Sequence, residues 1–152
     1  MTNHFLIRFC LVIPLLWSAV SAQESTKPSK EILRGTWIAS AGEARYFRGI
    51  WSGELLPGNH NSGQGSWVLL NDRSETVTEG TWAARKSARA WEGTWTARPS
   101  GGGSFSGTWT ADITDLEKGT FEDMLNRTFE KQVSGSWRHG RTEGNWWLQG
   151  SH

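Results

Sequence analysis

The tripeptide Gly-x-Trp occurs eight times, at Gly35/Trp37, Gly49/Trp51, Gly65/Trp67, Gly80/Trp82, Gly93/Trp95, Gly107/Trp109, Gly135/Trp137 and Gly144/Trp146. Residues i and i+2 share a face in a β-strand, so each copy marks a strand that shows a glycine and an indole to one side. Successive copies lie 9 to 28 residues apart, mostly 12 to 16, which is too short for a helical solenoid repeat and suits one strand plus one turn. The pattern extends to apolar, x, Gly, x, Trp, x, small or apolar, as in Phe47/Gly49/Trp51/Gly53, Trp91/Gly93/Trp95/Ala97 and Phe105/Gly107/Trp109/Ala111. Its alternate positions are mostly polar, for example Glu92/Thr94/Thr96/Arg98 and Ser106/Thr108/Thr110/Asp112. Such period-two alternation belongs to antiparallel sheet with one dry face and one wet face. Turn-forming residues separate the strands at Pro57-Gly58-Asn59, Asn71-Asp72, Lys86-Ser87-Ala88, Pro99-Ser100-Gly101 and His139-Gly140.

A central glycine weakens a strand unless something occupies the space it leaves. In an antiparallel meander the neighbour runs its own pair in the opposite sense, which lets each Trp lie over the neighbour's Gly. Eight sequential strands with short turns close most economically into a barrel, because an open meander leaves two edges exposed. The expected fold is therefore all-β, an eight-stranded antiparallel up-and-down barrel, with a strongly curved open sheet or two packed sheets as the alternatives. The one long interval, Trp109 to Trp137, changes period. There Phe121, Met124, Leu125 and Phe129 recur at helical spacing, with Glu122 and Asp123 in the first turn and Lys131 in the last. Thr120 is the expected N-cap, so Gly119-Thr120-Phe121 opens a short helix between strands six and seven rather than a ninth strand.

Residues 1–22 read as a secretory signal peptide, with a short basic start to Arg8, an apolar run from Phe9 to Val20, and Val20-Ser21-Ala22 as small residues before a cut ahead of Gln23. The run is short for a spanning helix. Residues 23–31 are polar and aperiodic, a lead-in to one domain over residues 32–150, and the expected location is secreted or periplasmic. Cys10, the single cysteine, falls in the leader. The exported chain would then have no thiol chemistry and no disulfide, and its roughly 130 residues would be held by their own core. With Arg8 removed, 15 basic residues stand against 15 acidic ones, a balance that gives no support for nucleic acid or an anionic membrane as a partner.

Gly35-Thr36-Trp37 on the first strand, after a leader and within an eight-strand meander, resembles the calycin group of avidins and lipocalins, whose first strand carries a Gly-x-Trp. The resemblance implies an up-and-down barrel. In avidins an Asn that helps bind biotin follows shortly, whereas here Trp37 is followed by Ile38-Ala39-Ser40. Lipocalins carry the motif on one strand and this chain carries it on eight, which resembles a repeat-built barrel more than either family.

The eight motif indoles are candidate ligand-binding residues and equally candidate core. Each buries roughly 200 Å² at about 25 cal/mol per Å², so packing alone is sufficient reason for them. An eight-stranded barrel is just wide enough to be filled by its own side chains or to hold one small ligand, and an aromatic lining suits a flat or apolar one. On the opposite face, strands four to seven are mainly Thr, Ser, Glu and Arg, whereas strands one, two, three and eight show Ile38, Ile50, Val68, Leu70 and Trp147. Closure makes these strands contiguous and gathers the five residues into one outer apolar patch. Either the helix or another subunit covers it, or the helix closes one end of the barrel and the patch is an interaction surface.

Other chemistry finds little support. His60, His139, His152 and Tyr46 stand in no spacing that suggests a metal site or a Ser/His/Asp relay, and no metal or cofactor is expected. Asp112, Asp115, Glu117, Glu122 and Asp123 cluster where the positive end of a helix accounts for them without a cation. Ser100 to Ser104 precedes a strand, so it is a hairpin connection and not a phosphate loop. Asn126-Arg127-Thr128 matches a glycosylation acceptor but lies within the expected helix. An outer-membrane barrel fits less well, since a lipid-facing Trp side would offer about one large apolar residue per strand beside a glycine. The chain thus reads as a non-catalytic exported binding module, for a small apolar or aromatic ligand inside the barrel or for a protein partner or second copy on the patch. A structural or inhibitor-like barrel with a filled core is the alternative, and a small outer-membrane barrel a further one.

Overall fold

The computed structural model describes residues 31–55, 58, 60–88, 90–113 and 119–151. The leader, most of the lead-in, Asp115, Glu117 and His152 lie outside the described residues. Eight strands, β1 (Glu31–Ala41), β2 (Arg45–Leu55), β3 (Ser62–Leu70), β4 (Thr76–Lys86), β5 (Trp91–Pro99), β6 (Phe105–Ala111), β7 (Val133–His139) and β8 (Thr142–Gly150), follow in order, with one helix, α1 (Phe121–Glu130), between β6 and β7. Each strand pairs antiparallel with the next and β8 returns to β1, so the sheet closes into a barrel.

The register divides the barrel into four hairpins. In β1/β2 the pairs are Gly35 with Trp51 and Trp37 with Gly49. The same reciprocal pairing recurs in β3/β4 (Gly65 with Trp82, Trp67 with Gly80), β5/β6 (Gly93 with Trp109, Trp95 with Gly107) and β7/β8 (Gly135 with Trp146, Trp137 with Gly144). At three of the four junctions between hairpins the indoles meet one another instead, at Trp51/Trp67, Trp82/Trp95 and Trp109/Trp137, while at β8/β1 Trp37 meets Leu148 and Trp146 meets Ala39. The expected placement of each Trp over a neighbour's Gly therefore holds inside every hairpin.

Five indoles reach beyond the neighbouring strand. Trp37 Nε1 crosses Gly49 on β2 and donates to the Val68 carbonyl on β3 at 3.1 Å. Trp51 crosses Gly35 to the Gln149 carbonyl on β8 (3.2 Å), Trp82 crosses Gly65 to Ser52 on β2 (3.0 Å), Trp109 crosses Gly93 to Ala83 on β4 (3.2 Å), and Trp137 crosses Gly144 to Ser40 on β1 (2.9 Å). Trp95 and Trp146 stop at the adjacent strand, on the carbonyls of Thr108 and Ser136. A methyl group at Gly49 would be driven into both the Val68 carbonyl oxygen and the Trp37 indole, and the same double conflict awaits one at Gly65, from Ser52 and Trp82. Glycine is thus required by two neighbours at once, a ring above it and an inward-tilted carbonyl beside it.

The helix closes one end. Thr120 is its N-cap, with its side chain accepting from Asp123 N while the Asp123 carboxylate accepts from Thr120 N, a reciprocal capping box. Phe121, Met124, Leu125 and Thr128 form the buried stripe. Phe129, expected on that stripe, is half-buried, and Thr128 takes the deeper position with its hydroxyl donated to the Leu125 carbonyl at 2.6 Å. The helix rests on three inward glycines outside the motif: Leu125 lies against Gly53, Phe121 against Gly63 and Phe129 against Gly150. Phe121 N–H donates to the His60 carbonyl and Lys86 Nζ to the Gly119 carbonyl, so the loop before β3 and the end of β4 hold the helix start. The glycosylation-like triplet is consequently helical, with the Thr128 hydroxyl buried and already bonded.

Candidate functional site

Odd-numbered strands leave the helix end and even-numbered strands return to it, so Trp, two residues after Gly, falls at two heights. Trp51, Trp82, Trp109 and Trp146 on the even strands sit toward the helix and pack with its apolar side chains. Trp37, Trp67, Trp95 and Trp137 on the odd strands sit toward the opposite end. Edge-to-face pairs lock indoles within each level: Trp37 with Trp67 (5.6 Å, 90°), Trp95 with Trp137 (6.1 Å, 81°) and Trp109 with Trp146 (5.8 Å, 87°).

The two rings do not meet at the centre. They enclose a cavity of about 440 Å³ that all eight motif indoles line. Its floor is Met124, Leu125 and Thr128 of α1 with Val133 and Leu148, and its opposite end carries Ala41, Arg45, Phe47, Leu69, Thr78, Phe105, His139 and Thr142. Trp51 is 2 % exposed, whereas the other seven motif indoles are only half-buried because one side of each borders this space. With seven of the eight indole nitrogens bonded to backbone carbonyls, the walls offer ring faces and edges rather than free donors. The chamber suits an apolar or aromatic body and has the size of a small-molecule site.

Trp91 is a separate case. It lies outside the motif, at the helix end, 1 % exposed and 5.4 Å from the Phe121 ring, and its Nε1 is a buried donor with no partner among the described residues. It contributes to the plug beneath the cavity floor.

On the outer surface, the register sets Trp147 beside Ile38 and Ile50 beside Val68, with Leu70 opposite Arg48. Ile38 and Ile50 are each 46 % exposed, and Val68, Leu70 and Trp147 are half-buried. The helix does not cover this patch, since it sits on the barrel end. Of the candidate acids, Asp123 is spent on the capping box, whose backbone and hydroxyl donors from Thr120 hold its carboxyl below the ordinary value. Among the described residues no group of three or more His, Cys, Asp or Glu converges as a metal site would require.

The strand pattern left open whether the barrel was filled or hollow, and the polar groups at the mouth were missed. Arg45 and His139 fall on the inward alternation, so the signal was their phase with Phe47 and Trp137, at strand ends where alternation is easily mistaken for turn. No family model, curated protein or solved structure matches the chain.

Proposed function

We propose that this protein is a non-catalytic binding module that holds one small apolar or aromatic molecule inside its indole-lined barrel. The observation that carries this reading is the hollow interior. A core that served stability alone would bring its largest side chains into contact, as protein interiors close-pack and leave few voids larger than a water molecule. Here eight of the largest side chains stand back from a common space of about 440 Å³, each lying over a glycine and seven of them tied to a backbone carbonyl. Energy spent on keeping indoles apart is well explained by a ligand that completes the contacts. The outward sets on β5 and β6, with Glu92, Arg98, Thr108 and Thr110, make no continuous apolar belt, which favours an aqueous compartment over a lipid one.

Native mass spectrometry of protein purified gently from its native host tests this. A mass excess that disappears on denaturation is the expected result. A clean polypeptide mass, together with no binding from a panel of small aromatic and aliphatic compounds, would return the barrel to a purely structural role. A second reading concerns the outer patch, because Ile38 and Ile50 stay exposed once the helix has been placed elsewhere. Ile50→Asp combined with Val68→Asp should dissociate a second copy or a protein partner while leaving the barrel folded. A wild type that is monomeric and recovers no partner contradicts this second reading.

A further inference from the structure

We propose that the ligand is an apolar organic anion, held with its charged end at the open mouth by Arg45 and its apolar body among the indoles. This inference rests on reading the interior as a ligand site and adds the charge and orientation of the occupant.

Twenty-two of the described residues line the cavity, and none of these is an Asp, Glu or Lys. The only ionisable side chains among them are Arg45 and His139. Both lie at the end opposite the helix, Arg45 as the first residue of β2 and His139 as the last of β7. Arg45 is in phase with Phe47, Gly49 and Trp51, the inward set of its strand. It makes no ion pair among the described residues, although other arginines on the barrel do, as Arg85 with Glu92 and Arg138 with Glu143. Among the described residues, the single fixed charge of this largely apolar chamber is therefore positive and has no ion-pair partner. Low-dielectric walls strengthen its attraction for an anion and its repulsion of a cation.

Two hydroxyls support the same orientation. Thr78 is 8 % exposed, lines the cavity, and has no hydrogen-bond partner for its side chain among the described residues. Thr142, cross-strand from His139, is likewise free at the rim. His139 directs Nδ1 at the Ser106 carbonyl, so that nitrogen donates, and its ring packs against those of Trp95 and Phe105. At the far end the one polar side chain of the floor, Thr128, is already bonded to Leu125. Among the described cavity-lining residues, unmet hydrogen-bonding capacity thus lies toward the mouth, where a carboxylate can take the guanidinium fork and a threonine hydroxyl together. The blind end accepts only an apolar tail.

Indole walls can also attract a cation, so the test must separate three charge types. Isothermal titration of the protein with 2-naphthoate, 2-naphthamide and (2-naphthyl)methylammonium holds the ring system constant while the charge runs from negative through neutral to positive. Nonanoate and nonanamide repeat the comparison with an alkyl body. The expected order is anion, then neutral, then cation, with the carboxylates about tenfold tighter than their amides, the size of one charge-assisted hydrogen bond. Arg45→Gln, at an exposed position that should leave the fold intact, should remove that advantage and leave amide binding within about twofold. Equal affinity for acid and amide, or preference for the ammonium, overturns the inference and leaves the ligand-binding reading standing. Absence of binding by all five compounds overturns both.

Discussion

At the residue scale, the Gly-x-Trp unit is, in five of its eight copies, a staple across three strands. The indole leaves one strand, lies on the glycine of the next, and donates to a carbonyl of the third, as Trp82 does over Gly65 to Ser52. Gly65→Ala should therefore cost at least about 2 kcal/mol in urea unfolding, since its methyl conflicts with backbone that cannot move alone. Gly101→Ala, facing open space in a turn, should stay within about 0.5 kcal/mol of wild type. The two most buried tryptophans offer a second contrast. Trp51 donates to Gln149, whereas Trp91 Nε1 has no partner among the described residues. Trp51→Phe should be the more destabilising by about 1 kcal/mol, because it alone forfeits a hydrogen bond. The glycine and the ring were legible from the i, i+2 spacing. The carbonyl that completes the staple was not, because it lies two strands away, and for Trp51 and Trp137 on the far side of the β8/β1 seam that closure creates.

At the element scale, the helix is a plug whose seat is made of glycine. Its limits were readable from Thr120 and from the shift in apolar period, and the capping box adds Asp123 as the reciprocal partner. Its place on the barrel was not readable. In sequence Gly53 reads as the small residue that closes the repeat pattern and Gly63 and Gly150 as incidental strand-end glycines, yet they are where Leu125, Phe121 and Phe129 lie. That fit sets the helix on the barrel end and leaves Ile38 and Ile50 exposed. Thr120→Ala should cost about 1 kcal/mol, as loss of an N-cap generally does. The Asp123 half of the box adds a pH signature. Its carboxyl is held below the ordinary 3.8, first by the Thr120 backbone donor and then by the Thr120 hydroxyl. A depressed folded value stabilises above the unfolded value and loses that contribution as pH falls through the folded one. The Tm difference between wild type and Asp123→Asn should accordingly be full above about pH 4 and close on further acidification. A difference that grows in acid contradicts the cap.

At the scale of the whole molecule, four reciprocal hairpins close into a barrel whose centre their own side chains do not fill. Strand count, closure and the inward face followed from the repeat. Whether the interior was full did not, because filling depends on how far each indole leans along the wall. Here the crossing over glycine lays the rings against the sheet, and the space remains in the middle. The test of that claim is the thermal stability of Ala39→Leu, at a cavity-lining alanine that is 8 % exposed. In a hollow barrel the added carbons enter free space, so Tm should hold or rise while affinity for an apolar ligand falls. In a close-packed core the same change overpacks and should cost about 1–3 kcal/mol. A marked drop in Tm, with ligand affinity unchanged, would contradict the hollow barrel.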